Sequence, residues 1–318
     1  TLTALGTTLV LHAADRSHDG GTDGTVTAGQ LNLDDDGQLL FLDTAAGTHH
    51  DEVVAAHADG SRTGSGLDCL RFYAAAGTGV CLQAQPGALQ TSYRARILDA
   101  RLRTVRSFPL AGVPSRARVS PSGRFAAWTV FVGGESYGSA FFSTRTSIVD
   151  TRTGQLDSTL EDFAVDLNGA PYRATDENFW GVTFAADDDT FYATLATGGR
   201  TYLVKGSIGR RTVSSVGVTN VECPSLSPDG TRIAFKRRVL GSAALWHEYV
   251  LDLRTLKQTP LAESHSVDDQ AFWLDDRTVA YALPTQGETG STDLWSVPAD
   301  GSGTPALLAG HAASPARS

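Results

Sequence analysis

A chain of 318 residues, 41% of them hydrophobic, has ample apolar material for a buried core. Its net charge of −9 is the wrong sign for a nucleic-acid surface, and it permits cationic ligands without demanding them. The 33 glycines suit a fold of many tight turns, and long amphipathic helical patterns are absent.

In chain order, the first segment is residues 1–25, expected to be an export or anchor remnant and linker. The chain contains no methionine, as a processed or trimmed product would not. The apolar run Leu2 to Ala14 is too short to span a bilayer. It fits the end of a signal h-region, or of a membrane anchor lying N-terminal to this chain, better than a strand on an edge blade. The polar, Gly-rich stretch DRSHDGGTDGTV that follows suits a tether.

Residues 26–312 carry a repeating strand–turn–strand unit. LNLDDDGQLLFL turns at Asp36 and Gly37, and YAAAGTGVCL at Ala76 and Gly77. VSPSGRFAAW turns at Gly123, and TFAADDDTFYATL at Asp188 and Asp189. SLSPDGTRIAF has Pro228 to preset φ, Asp229 to cap the turn and Gly230 for the positive-φ corner. FWLDDRTVAYAL turns at Asp275 and Asp276. These turns recur roughly every forty to fifty residues, with one longer interval around residues 133–175, which is the mark of four-stranded propeller blades. LWHEYVLDL and KQTPLA supply the third and fourth strands of the fifth repeat, and the segment from Thr292 to Ala309 does so in the sixth. The expectation is an all-β, six-bladed β-propeller of four-stranded antiparallel blades. The last blade takes all four strands from the C-terminal segment, with no strand exchange, and residues 313–318 form a tail.

Cys69 and Cys81 flank the second hairpin, so a cross-strand disulfide and two free buried thiols both fit. A disulfide would place the chain in an oxidising compartment. Cys223 is expected to be a small core residue.

The SPDG hairpins resemble those of the TolB-type β-propellers, and the match is best at residues 225–235 and 119–128. NFWGVTFAADDDTFYATLATGGRTYLV (178–204), followed by NVECPSLSPDGTRIAFK (220–236), is similar to exported TolB-like proteins of high-GC Gram-positive bacteria. The resemblance covers most of residues 30–310. It implies an extracytoplasmic six-bladed propeller that binds partners or acts as a scaffold, and it implies little chemistry. No separate N-terminal α/β domain is visible, in contrast to TolB, which argues against a Tol–Pal role.

Several motifs invite chemistry. Gly134-Glu135-Ser136-Tyr137-Gly138 matches the nucleophile elbow G-x-S-x-G, but the residues after it read as strand rather than helix. A prolyl-oligopeptidase-like enzyme would need a further α/β-hydrolase domain. His49, His50, Asp51 and His57 read as solvated turn residues, since neighbours such as His49 and His50 point to opposite faces of a strand. The Asp triplets 34–36 and 187–189 lack calcium-loop spacing.

The repeat register points elsewhere. Residues just before each innermost strand should ring one mouth of the central channel: Asp68, Arg116, Glu177, Asn178, Glu222, Asp268 and Asp269. They are the candidate ligand-binding set. The competing role for them is hydrogen bonding that locks the blades together. No catalytic residue and no resident metal is expected, although a divalent cation at this acidic mouth is conceivable. Trp180 and Trp273 read as blade-packing aromatics. The expected function is a non-catalytic scaffold for a protein or envelope component. Its alternatives are a glycan lyase or hydrolase using the acidic mouth, and a structural subunit of an envelope assembly.

Overall fold

A computed structural model describes residues 25–318 except 58, 88–89, 134–141, 158 and 242–243. The export remnant and the G-x-S-x-G segment therefore lie outside the described residues. Six small sheets form the ring, and among the described residues the one helical element is a short 3₁₀ turn, Leu160–Asp162. No helix among them is long and apolar enough to cross a membrane.

Blades 2, 3, 5 and 6 are simple four-stranded meanders. From the channel outward, blade 2 is Arg71–Ala75, Thr78–Gln85, Ser92–Leu98 and Thr104–Leu110. Blade 3 is Val113–Val119, Phe125–Gly133, Ser143–Asp150 and Leu156–Asp157. Blade 5 is Glu222–Leu226, Arg232–Arg238, Trp246–Asp252 and Gln258–Pro260, and blade 6 is Phe272–Asp275, Thr278–Pro284, Thr292–Pro298 and Ala306–Ala309. Blade 4 has Asn178–Phe184, Thr190–Thr197, Arg200–Ser207 and Thr212–Thr219, and its outer edge carries an added hairpin, Ala164–Leu167 with Ala170–Tyr172. That hairpin fills part of the long interval between the third and fourth repeats and covers an otherwise open sheet edge.

The core is divided among the blade junctions. Ile233 and Phe235 pack toward blade 4, while Ala234, between them, packs toward blade 6. Phe125 and Ala127 likewise face blade 4, and Ala126 and Trp128 face blade 2. Both faces of an inner strand are thus buried. Its alternation is large against small, rather than the apolar against polar of a strand with one wet face.

The hairpin turns are fixed by their own side chains. Ser227 and Ser120, each preceding proline, accept from the backbone N–H five residues on, at 3.0 Å in both cases. Gly230 closes the turn with φ of 69° and donates to the Ser227 carbonyl at 2.9 Å. Neighbouring turns are also joined: Asp229 N donates to Asp276 Oδ1 at 2.9 Å, and Ser122 Oγ donates to Asp188 Oδ1.

The ring closes differently from the sequence expectation. Residues 313–318 are not a tail. Ala312–Arg317 is the innermost strand of blade 1, paired antiparallel with Leu39–Asp43 and followed outward by Glu52–Ala56 and Arg62–Asp68. Val26–Ala28 adds a parallel strand at that blade's outer edge. The turn at Gly37 therefore does not join two consecutive strands. Gly37 N donates instead to the carbonyl of Ser318, at 3.0 Å. Pro315 disguises this strand in sequence. An innermost strand has the open channel on one side, so a missing N–H is tolerated, as it is at Pro114 and Pro224 of blades 3 and 5.

Cys69 and Cys81 form a disulfide with Cα atoms 5.5 Å apart. Cys69 lies in the link between blades 1 and 2, and the cross-strand neighbour of Cys81 is Phe72. The bond therefore ties the link to blade 2 rather than bridging one hairpin. Cys223 is free and buried, as expected for a core residue.

Two stability predictions follow from this closure. Ala316 is fully buried in the junction of blades 1 and 2, so Ala316→Asp should cost at least about 4 kcal/mol. Val105→Asp, on an exposed outer strand, should stay within about 0.5 kcal/mol of wild type in the same denaturant titration. Replacing both Cys69 and Cys81 by Ser should cost about 3 kcal/mol, with Tm lowered in proportion.

Candidate functional site

Sequence register brings together part of the proposed mouth set. Arg116, Glu222, Asp268 and Asp269 meet in one charged cluster on the channel side of blades 3, 5 and 6. The other three sit apart from it. Asp68 is exposed beside the link between blades 1 and 2, where its carbonyl accepts from Gln83 Nε2 at 3.1 Å. Glu177 is buried and accepts from Ala174 N. Asn178 Oδ1 accepts from Thr144 N at 2.8 Å, locking blade 4 to blade 3.

At the centre of the cluster is a residue that sequence reasoning missed. Lys236 is fully buried on the second strand of blade 5. Its neighbour on the innermost strand is Glu222, and its neighbour on the third strand is Glu248. A cross-strand row Glu–Lys–Glu therefore runs outward through one blade. The Lys236 ammonium lies 4.5 Å from the centre of the Trp246 ring and donates to Asp268 Oδ1. Arg116 approaches the same carboxylate at 3.8 Å.

One buried ammonium cannot serve three carboxylates equally. Burial works against ionisation of Asp268, but Lys236 and Arg116 outweigh it and hold this acid below its ordinary range. Glu222 and Glu248 take the opposite course. Burial raises Glu222 to about 7, with Lys236 opposing and Asp268 reinforcing the rise. Burial raises Glu248 to about 8, reinforced by Asp269. Both carboxylate oxygens of Glu248 and Oε2 of Glu222 are buried without a hydrogen-bond partner among the described residues.

Local backbone shape explains how Glu222 comes to face inward. The innermost strands of blades 4 and 5 both carry bulges, between Trp180 and Thr183 and between Glu222 and Ser225. They meet at Gly181, whose φ is 66° and whose Cβ, were there one, would lie 2.6 Å from Cys223 Cα. Such bulges re-aim the side chains beside them.

The channel is spanned by side chains. Arg118 Nη2 crosses from blade 3 to the carbonyl of Ala271 in blade 6 at 3.1 Å, and Arg116 Nη2 to that of Asp268 at 3.5 Å. Gln270 Nε2 reaches Pro224 O of blade 5 at 2.8 Å and Val182 O of blade 4 at 3.3 Å. The space left beside them is about 30 Å³, room for little more than water. These bridges cross the axis between its two mouths.

The second mouth, at the hairpin-turn end, opens into a funnel of about 320 Å³ to which five of the six blades contribute. Tyr73, Phe184, Leu226, Phe272 and Trp273 give it an apolar wall. Trp273 is anchored by its indole N–H, which donates to Ser225 O at 2.8 Å. Trp273 also packs in the junction of blades 5 and 6, as expected of a blade-packing aromatic. Trp180, by contrast, is wholly buried against Phe131 and Cys223.

No group of three His, Cys, Asp or Glu side chains among the described residues comes together as a metal site. The acids of the first mouth face Lys236 and Arg116 instead. His49 pairs with Glu52 at 2.5 Å and His57 with Thr63 at 2.8 Å. Asp187 of the second Asp triplet uses Oδ1 to cap the backbone of Asp189 and Thr190.

The sequence matches no protein-family model and no curated protein. The fold is shared with solved structures. TolB from Acinetobacter baumannii aligns over 88% of this chain and 65% of its own, with a TM-score of 0.61 and 19% identity. A puromycin-hydrolysing peptidase of Mycobacterium tuberculosis aligns over 86% of this chain and 45% of its own (TM-score 0.53, 16% identity). An oligogalacturonate lyase in complex with manganese aligns over 85% and 76% (TM-score 0.51, 10% identity). The chain thus spans just under two thirds of the TolB and less than half of the peptidase. The structural neighbours include TolB-like six-bladed propellers, as the SPDG hairpins imply.

The buried acids give the cluster a pH signature. Glu222 and Glu248 hold protons in the folded chain that the unfolded chain releases near 4.5, so their contribution to stability falls as pH rises from there through 7 to 8. Asp268 acts oppositely, and its contribution is lost as pH falls below its ordinary 3.8. Glu248→Gln imitates the protonated acid. It should leave Tm near wild type at pH 5 and raise it at pH 9, by an amount equivalent to about 1–3 kcal/mol. A wild-type Tm that falls no more between pH 5 and 9 than that of the variant would show that burial of Glu248 carries no such cost.

Proposed function

We propose that this chain is a non-catalytic, extracytoplasmic, TolB-like propeller that serves as a binding scaffold for a protein or another component of the cell envelope. The observation that carries this reading is the funnel at the hairpin-turn mouth, concave, apolar-walled and assembled from five blades. Surfaces where loops of many blades converge on a rigid ring are suited to recognition, because the ring fixes their positions. The Cys69–Cys81 disulfide supports an oxidising compartment. TolB from Acinetobacter baumannii offers one structural parallel, and the same architecture occurs in a lyase and in part of a peptidase, so fold alone does not choose between binding and catalysis.

A second reading, a glycan-cleaving enzyme at the acidic mouth, draws on Glu222, whose raised pKa suits a general acid. Its burial and the neutralising Lys236 and Arg116 weigh toward a structural role for the cluster.

Photocrosslinking separates the two. A photoreactive residue at the exposed rim position Ala186 should give a discrete adduct with an envelope component, and the same group at Val105 on the outer edge of blade 2 should not. Equal labelling from both positions would remove the funnel as the docking face. Turnover of an oligosaccharide that disappears in Glu222→Gln, with the variant folded, would install the enzymatic reading in its place.

A further inference from the structure

The funnel holds a charge that no acid among the described residues neutralises. Two charged residues line it, Asp229 and Arg118. Asp229 is consumed by its own turn: Oδ1 accepts from Ser227 Oγ at 2.5 Å and from Thr231 N at 3.0 Å, and Oδ2 meets Arg232 Nη2 at 3.3 Å. Arg118 is only 6% exposed. Its guanidinium lies 4.4 Å from the centre of the Tyr73 ring, and one Nη donates to Ala271 O. Its Nε is buried with no hydrogen-bond partner, and among the described residues it forms no ion pair. An aromatic face and one carbonyl offset only part of the cost of removing a guanidinium from water, and buried charges are ordinarily paired.

The shape of the site narrows what the missing anion is. Arg118 and Arg116 bridge the axis behind the funnel, so a chain can enter from the hairpin-turn face but cannot thread through. What reaches the floor is the end of a chain. Of the two ends of a polypeptide, only the carboxyl end is opposite in charge to Arg118, and a guanidinium binds a carboxylate through two parallel hydrogen bonds. The aromatic wall of Tyr73, Phe272 and Trp273 then favours an apolar last residue. We propose that the funnel binds the free C-terminal carboxylate of a polypeptide ending in an apolar residue, with Arg118 as the anchor. This rests on the binding-scaffold reading above and specifies its ligand.

The test uses the whole chain and the N-terminally fluorescein-labelled peptide Gly-Ser-Gly-Ala-Val-Leu, as the free acid and as the C-terminal amide, followed by fluorescence anisotropy. The acid is expected to bind at least tenfold more tightly than the amide. That preference should vanish in Arg118→Gln and survive in part in Arg118→Lys, with circular dichroism confirming that each variant is folded. Ala186→Trp narrows the rim without touching Arg118 and should weaken both peptides, which keeps the proposal testable if the Arg118 variants fail to fold. Equal binding of acid and amide overturns the carboxylate assignment and leaves peptide docking standing. Binding of neither, or binding unchanged by Ala186→Trp, overturns the funnel as the site of a chain end, while the crosslinking experiment judges partner binding separately. If free 4-methylpentanoate binds as tightly as the peptide acid, the ligand is a small apolar acid and the chain-end assignment falls.

Discussion

The pairing of Ala312–Arg317 with Leu39–Asp43 is the constraint on which the rest of this structure depends. Each blade buries apolar side chains on both faces, so none can satisfy its hydrophobic surface unless it has a neighbour on each side. An open row of six blades would leave two faces wet. Closing the row by lending blade 1 a strand from the far end of the chain turns two non-adjacent segments into one sheet. The junction between blades 6 and 1 is among the smaller ones, built around Phe41, Val54, Leu294 and Ala312. The pairing within blade 1 positions Ala312 for that packing. Arg317 Nη1, donating to Leu274 O at 2.7 Å, adds a direct link from the closing strand to blade 6.

Closure also sets the electrostatics of the axis. Six innermost strands converging on a narrow channel bring polar side chains into a space too small for bulk water. There each charge must find a partner within the ring. Arg116 does so through Asp268, and Lys236 through the same acid. The consequence falls on Glu222 and Glu248, which are left to be neutral through burial rather than paired. Charge at one mouth is thereby settled internally. At the other it is not, because the bridges from Arg116 and Arg118 isolate that end, and the acid nearest to Arg118 along the funnel wall, Asp229, is already committed to shaping its hairpin.

How much of this was legible in sequence depends on the kind of information involved. Blade number and the hairpins were, because the Ser-Pro-x-Gly turns need particular residues at particular corners and those residues recur. The closing strand was not. AASPAR has a proline and no β-branched residue, and it pairs with a segment more than 250 residues away, so neither local propensity nor period marks it. Lys236 and Glu248 were missed for a related reason. Each sits in a strand whose two faces are both buried, where a charged residue looks like the solvent-facing member of an alternating pattern. The informative signal was the match in register among Glu222, Lys236 and Glu248, which appears only once strands of known pairing are laid side by side. The mouth set gathered only partly because the positions before each inner strand are not equivalent. Glu177 and Asn178 follow the added hairpin of blade 4, where Glu177 accepts from Ala174 N in the link and Asn178 ties blade 4 to Thr144 of blade 3.

The contrast between the two mouths bears on how such a ring could acquire a function without altering its fold. Residues at the closed mouth are coupled to one another, so changing one moves the charge balance of several and risks the junction of blades 5 and 6. The wall of the hairpin-turn funnel comes from five different blades. Substitutions there alter shape and chemistry without disturbing strand pairing. Arg118 and Tyr73 reach further, Arg118 bridging the axis to Ala271 and the Tyr73 ring meeting Phe272 of blade 6 at 6.1 Å. A residue held by one hydrogen bond to the scaffold and a ring face, with its Nε left without a hydrogen-bond partner beside a cavity, is fixed in place while hydrogen-bonding capacity remains. That is the condition under which an anchor residue selects its ligand by geometry rather than by rearrangement.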